Sequence, residues 1–398
     1  MGVGRWRRTW LPCLLLAIWL TSGCRAFDES LLDAGAPDAA GGGCELARPP
    51  DRPTISDGAD VDELIFAIKD VVLDQRDNRW RAIGYDLDGL CSDEPDPVVE
   101  CLPPAVSGPP EIDGERGIDN TFGHNLVPIL LAARSDFQTR ATSGQNQGLG
   151  ALLLIVRGWN GERDDPRVEG ILSQTVFGSA EAVAEPIDEI DVSDGMLRIN
   201  GELRPIPRWD GDDHFWVRSD GFLEGDISQP RLRDDNAYVA DGTIVLRLPD
   251  RFPLVLGGDQ TGVEFVLSDV VFTAELSADG RRIESAVLAG RWAIFDILAA
   301  IELAAICPGS SDYFTLMRLL DLAADIRGVP GTGGPRATCN AISLGLLFEV
   351  GAVATIDGLR DGFELPSPCL DGGVGDAGPV DAGMPDAGVP DGGLPDAG

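Results

Sequence analysis

Short runs of large and β-branched apolar residues, each ended by glycine, proline or an Asn-Gly or Asp-Gly pair, most restrict how this chain can fold. Residues 152–159 are almost wholly apolar and stop at Asn160-Gly161, and residues 242–249 alternate β-branched side chains until Pro249. Residues 263–267, 270–276 and 342–350 read the same way. Ser277-Ala278-Asp279-Gly280, just after Leu276, is a hairpin turn signal. Short strands at such spacing predict a mainly β fold, a β-sandwich or jelly roll in which two sheets face each other. Two segments break the period, residues 293–305 and 313–326. In the second, Leu316, Leu319, Leu320, Leu322, Ala323 and Ile326 return near helical spacing. They predict a small helical pair near 293–326, with a shorter helix over 125–133.

Low-complexity stretches set the limits of this domain. Asp371, Asp376, Asp381, Asp386, Asp391 and Asp396 recur every five residues among glycine, alanine and proline, and the same unit stands at Asp33-Ala34-Gly35-Ala36-Pro37-Asp38. Such segments hold almost no large apolar group with which to offset the entropy of ordering, so they are expected to be extended and disordered. The division that follows is a signal peptide over 1–23, a tether over 24–50, a folded domain over 51–370 and an acidic tail over 371–398. About 320 residues between the tails suffice for a sizeable core.

The N-terminus has the form of a secretion signal. Arg5, Arg7 and Arg8 precede 11 residues from Trp10 to Leu20 without a charge, a run too short to span a bilayer. Leu20-Thr21-Ser22-Gly23-Cys24 then resembles the lipobox of bacterial lipoproteins, with Thr21 where that pattern prefers Leu, Val or Ile. The resemblance implies cleavage before Cys24, acylation of its sulfur and, with two or three chains, durable membrane anchoring. Arg25 in place of Asp after that cysteine implies the outer membrane.

With Cys13 removed and Cys24 lipidated, Cys44, Cys91, Cys101, Cys307, Cys339 and Cys369 remain. In an oxidising envelope six cysteines imply up to three disulfides, for which sequence permits 15 pairings. Nearness along the chain favours Cys91–Cys101 and Cys307–Cys339, leaving Cys44–Cys369 to join the ends. Zinc is disfavoured by the lack of any Cys-x-x-Cys pair and the presence of only two histidines. A net charge of −35 argues against binding nucleic acid or an anionic lipid surface through charge, and is consistent with solubility or with attraction of cations.

Several phrases resemble a group of secreted bacterial lipoproteins with Asp-Ala-Gly-rich tails, to which no activity is assigned. They are residues 84–91 (Gly84 to Cys91), 117–120, 157–161 and 288–292 (Leu288 to Trp292), and the resemblance extends loosely over residues 60–355. It implies a shared fold and nothing about chemistry.

Oxygen ligands are densest at Asp86, Asp88 and Asp93, and again at Asp113, Glu115, Asp119 and Asn120. Calcium takes six to eight oxygens, and Asp and Asn at alternate positions around glycine turns can wrap it, although neither stretch completes an EF-hand loop. Capped surface loops are the favoured explanation of this spacing, and one structural calcium is the alternative hypothesis, with no other cofactor expected. The alternation of Glu189 and Asp191 resembles the paired-carboxylate strand of sandwich-fold glycoside hydrolases, with Asp194 where a final glutamate is usual. His124 and His214 offer the only imidazoles for a triad, and Phe215, Trp216 and Trp159 the material for an aromatic platform. The expected function is a membrane-anchored secreted lipoprotein with a non-enzymatic binding or envelope-structural ectodomain. The alternative is an extracellular carbohydrate-active hydrolase.

Overall fold

A computed structural model describes residues 44–55, 58–59, 63–92, 98–104, 110–133, 135–193, 195–248, 251–256, 263–303, 306–362 and 369. The expected signal peptide over 1–23, Cys24, Asp93 and residues 371–398 lie outside the described residues. The strands are β1 (Leu64–Val72), β2 (Leu152–Arg157), β3 (Asp165–Ser179), β4 (Ile190–Ser193), β5 (Met196–Ile199), β6 (Glu202–Arg204), β7 (Asp213–Arg218), β8 (Arg233–Ala240), β9 (Thr243–Leu248), β10 (Phe252–Leu256), β11 (Val263–Leu276), β12 (Arg282–Ala293) and β13 (Ala341–Arg360). The helices are α1 (Val127–Ala133), α2 (Phe137–Asn146), α3 (Ile294–Leu303) and α4 (Ser311–Ala323).

Eight strands close on themselves in the order β1-β2-β3-β8-β9-β11-β12-β13 and back to β1, every neighbour antiparallel. The fold is a closed β-barrel, and the expected sandwich or jelly roll is wrong. Local alternation is the same in both folds. What separates them is the pairing of β1 with β13 and of β3 with β8, contacts between residues far apart in sequence. Length favours closure, since β3, β11 and β13 run for 15, 14 and 20 residues. Twisted strands of this length coil round until the sheet meets itself.

Alternation then assigns the faces. Phe66, Ile68, Leu152, Leu154, Leu172, Leu246, Phe272, Leu288, Leu344 and Phe348, each fully buried, belong to one apolar cluster that fills the ring. The intervening Ala67, Leu153, Ile155 and Ile171 pack outside it, under Phe215, Val217 and Phe222. This is why β2 reads as an uninterrupted apolar run: it is covered on both faces. The helical pair is present, as α3 and α4, and α1 continues from a π-helical turn at Phe122–Leu126.

Cys44, Cys91, Cys101, Cys307, Cys339 and Cys369 are all paired, but as Cys44–Cys91, Cys101–Cys339 and Cys307–Cys369, none of the expected pairs. Sequence nearness misleads because a parallel bridge sets Leu102 beside Thr338. Leu102 N donates to Ala337 O at 2.8 Å and Cys339 N to Leu102 O at 2.8 Å, which lays Cys101 against Cys339.

The long connection from β1 to α1 is tied to the barrel through Asn120. Its side-chain amide donates to Gln75 Oε1 at 2.8 Å, Trp80 O at 3.2 Å and Ile83 O at 2.9 Å. Its Oδ1 accepts from Gly123 N and Gly345 N, each at 3.0 Å. Gln75, itself fully buried, donates to Gly345 O at 2.8 Å. The loop can approach β13 this closely only because residue 345 has no side chain, since a Cβ there would lie 2.2 Å from Ile83 O. Gly345→Ala is therefore expected to destabilise the fold by roughly 2 kcal/mol or more, the range for overpacking that forces backbone apart, as read by chemical denaturation.

Candidate metal centre

The loop held by Asn120 brings acidic side chains together. Leu87 N donates to Asp119 Oδ2 at 2.6 Å, Gly89 N to Asp86 Oδ1 at 2.7 Å and Leu90 N to Asp88 Oδ1 at 2.8 Å, so the Asp86–Leu90 turn is wound around its own carboxylates. Asp113 and Ser92 bond reciprocally, Ser92 N to Asp113 Oδ2 at 2.6 Å and Asp113 N to Ser92 O at 3.1 Å. From the other side, Asp325 follows α4 and accepts from Ser343 N at 2.9 Å and Thr121 Oγ1 at 2.9 Å. Cys44–Cys91 and Cys101–Cys339 staple two of the segments concerned.

One carboxylate oxygen from each of Asp86, Asp88 and Asp119 lies within 4.8 Å of the other two. Calcium–oxygen distances of about 2.4 Å allow two ligands to be up to about 4.8 Å apart across a single ion. The adjoining cavity is lined by Asp88, Glu100, Glu111, Asp113, Asp119 and Asp325 without any lysine or arginine, and holds about 10 Å³. That volume is close to the minimum for one water molecule and far below that of a sugar.

Burial dominates the electrostatics. It pushes Asp88 and Asp113 up to about 7, and each is pushed further by acidic neighbours, Asp86 and Glu100 for Asp88, and Asp88, Asp325 and Asp86 for Asp113. Asp119 is raised well above the usual carboxylate range by burial and then by Asp88, Asp113 and Asp325. Asp325 is pushed up to about 6 and Asp86 is also raised, both first through burial.

One internal cation supports this group from below. Arg291, 1 % exposed, meets Glu100 at 3.0 Å and Asp269 at 3.2 Å, and donates to Arg327 O at 2.8 Å and to Leu87 O. Asp269 reaches it from a bulge in β11, where it adopts a left-handed φ of 52°. The guanidinium thus neutralises Glu100 and Asp269 and fixes the carbonyl between Asp86 and Asp88.

Four expected ligands, Asp86, Asp88, Asp113 and Asp119, are brought together. Glu115 is not: it is exposed in a 3-10 turn. Asn120 is a correction of another kind, because its amide is consumed by the loop-to-strand knot and is not free to ligate. Glu100, Glu111, Asp325 and Arg291 were not foreseen. Two carried a signal, Arg291 as the one charge within Leu288-Ala289-Gly290-Arg291-Trp292 and Asp325 within Ala323-Ala324-Asp325-Ile326, since a charge in an apolar run implies a buried partner.

The other candidates lie elsewhere. Glu189 and Asp191 are exposed on the small β4-β5-β6 sheet, Asp191 3.8 Å from Arg198. His124 stacks on Trp80 with ring centroids 4.2 Å apart and stands 3.3 Å from Glu111, while His214 bonds Asp357 at 2.7 Å. Trp159, Phe215 and Trp216 are buried and form no platform. Comparison with family models, with characterised proteins and with solved structures returned no match.

These shifts fix the sign of a pH effect in protein stripped of metal. Below about pH 4 the carboxyls are protonated in both folded and unfolded chains, and their burial has no ionic cost. As pH rises to about 7 the unfolded chain ionises first, and stability is lost until the folded groups ionise as well. With chelator present, Asp88→Asn is expected to be more stable than wild type at pH 8 by about 1–3 kcal/mol, and no more stable at pH 4. Denaturant titrations at the two pH values provide the check.

Proposed function

We propose that this chain is a secreted bacterial lipoprotein, anchored in the cell envelope through acyl chains on Cys24, with a non-catalytic binding or envelope-structural β-barrel built around one resident calcium ion. The observation that carries the reading is the ion-sized cavity lined by Asp88, Glu100, Glu111, Asp113, Asp119 and Asp325 and by no lysine or arginine. Six to eight hard oxygens in irregular geometry are what calcium accepts, whereas magnesium keeps several waters for which a 10 Å³ space has no room. Three of the ligand candidates sit on backbone-capped turns of a disulfide-stapled loop, an arrangement suited to a structural ion rather than to a reaction. The filled barrel supports a role in which the surface, and not an internal ligand chamber, meets the partner.

Protein purified without chelator is expected to carry about one calcium per chain by mass spectrometry. Chelation should lower the melting temperature by about 5 °C, and calcium but not magnesium should restore it. Metal-free protein with an unmoved melting temperature would exclude the ion. The anchor is checked separately, by incorporation of a labelled fatty acid in cells. The label is expected on the wild type and absent from Cys24→Ala, and equal labelling of both would remove the anchor from the proposal.

A further inference from the structure

A second cavity, of about 190 Å³, opens where the barrel wall forks. Strand β3 pairs with β8 as far as Ile171, opposite Arg233, and its pairing with β7 begins only at Thr175, opposite Val217. Between those points the strand changes neighbour, and β8 and β7 diverge. The third side is β10, held to β3 by Gln174, whose amide accepts from Val255 N at 2.8 Å and donates to Val255 O at 3.0 Å.

In a chain of net charge −35, this crevice is lined by three arginines, Arg218, Arg231 and Arg251. Arg218 is paired with Asp220, also at the rim, and Arg251 with Asp296. Arg231 is fixed through its backbone, whose N donates to Gly221 O at 2.9 Å, and its guanidinium has no carboxylate partner among the described residues. At the floor stands Ser173, 5 % exposed, whose buried hydroxyl makes no hydrogen bond. Buried hydroxyls are almost always satisfied, so an unsatisfied one beneath a cavity indicates a missing partner. The space in front of it exists because residue 221 is glycine: a Cβ there would lie 2.7 Å from Ser173 Oγ. The remaining wall is apolar, with Leu172, Phe252 and Pro253.

We infer that this fork is a binding site for a small organic carboxylate, its headgroup held by the Arg231 guanidinium and the Ser173 hydroxyl and its apolar body lying against Pro253. An unpaired guanidinium presents a planar fork that matches a carboxylate in two hydrogen bonds. The cavity is smaller than the ~300 Å³ at which sites for drug-sized ligands begin, which sets the ligand near the size of benzoate.

Calorimetry on the full chain with benzoate, benzamide and inorganic phosphate tests the assignment. Benzoate is expected to bind, with benzamide and phosphate each at least tenfold weaker. Arg231→Gln should weaken benzoate at least tenfold, and Ser173→Ala should weaken it severalfold, both with an unchanged melting temperature for the ligand-free protein. Gly221→Ala, which fills the space before the hydroxyl, should also abolish binding. No benzoate binding at 10 mM, equal binding of benzamide, or unaltered affinity in Arg231→Gln would each overturn the site, and phosphate binding as tightly as benzoate would overturn the organic-acid assignment. Protein loaded with calcium is used throughout, so loss of the ion and loss of this site give separate readings.

Discussion

The amide of Asn120 is the interaction on which the arrangement of the molecule turns. It spends its donors on Gln75, Trp80 and Ile83 and its acceptor on Gly123 and Gly345. A side chain with both ends so used specifies one conformation, since any shift of the loop breaks several buried hydrogen bonds at once. The effect is to fix the described parts of this connection against the strand they touch. The carboxylates at 86, 88, 113 and 119 inherit that placement. Disulfides reinforce it from both flanks, Cys44–Cys91 near the first turn and Cys101–Cys339 beside Glu100.

Placement of this kind has an electrostatic consequence. Several carboxyls removed from water repel one another, and each also forfeits hydration, a cost larger than the repulsion alone. Arg291 relieves only part of it, because its guanidinium is committed to Glu100, Asp269 and two carbonyls. What remains can be neutralised by protons or by a cation. Protons serve at acid pH, and at neutral pH they become scarce where Asp88 and Asp113 reach about 7. The calcium ion proposed above would be the second solution.

The parts of this structure that were legible in the sequence are those fixed by local pattern. Alternation located β9, β11 and β13, the Asp279-Gly280 turn located the β11–β12 hairpin, and helical spacing located α4. Four of the clustered acids were legible because they stand close together in acid-rich stretches around glycines. Closure of the barrel was not, because strand alternation is indifferent to whether β1 meets β13. The cysteine pairs were missed for the same reason: the bridge from Leu102 to Thr338 spans more than two hundred residues and leaves no local trace. Asn120 was misassigned because an amide beside acids resembles a ligand in sequence, and only the approach of Gly345 shows where its hydrogen bonds go.

Barrel closure also bears on where binding can occur. A closed ring has no free edges, and here its interior is filled with Phe66, Phe272, Phe348 and their neighbours. Polar chemistry is therefore displaced to places where chain leaves the ring. Strands of 15 and 20 residues overrun a barrel that needs fewer, and their ends must find other partners. The overrun of β3 and β13 is capped by β7, which pairs antiparallel with one and parallel with the other. A strand cannot pass from one neighbour to another without a gap of several residues, and side chains on either side of the gap lose their packing partners. The crevice at Ser173 is such a gap. It carries arginines in a protein otherwise dominated by aspartate because positive charge is least costly there, close to Asp220 and Asp296.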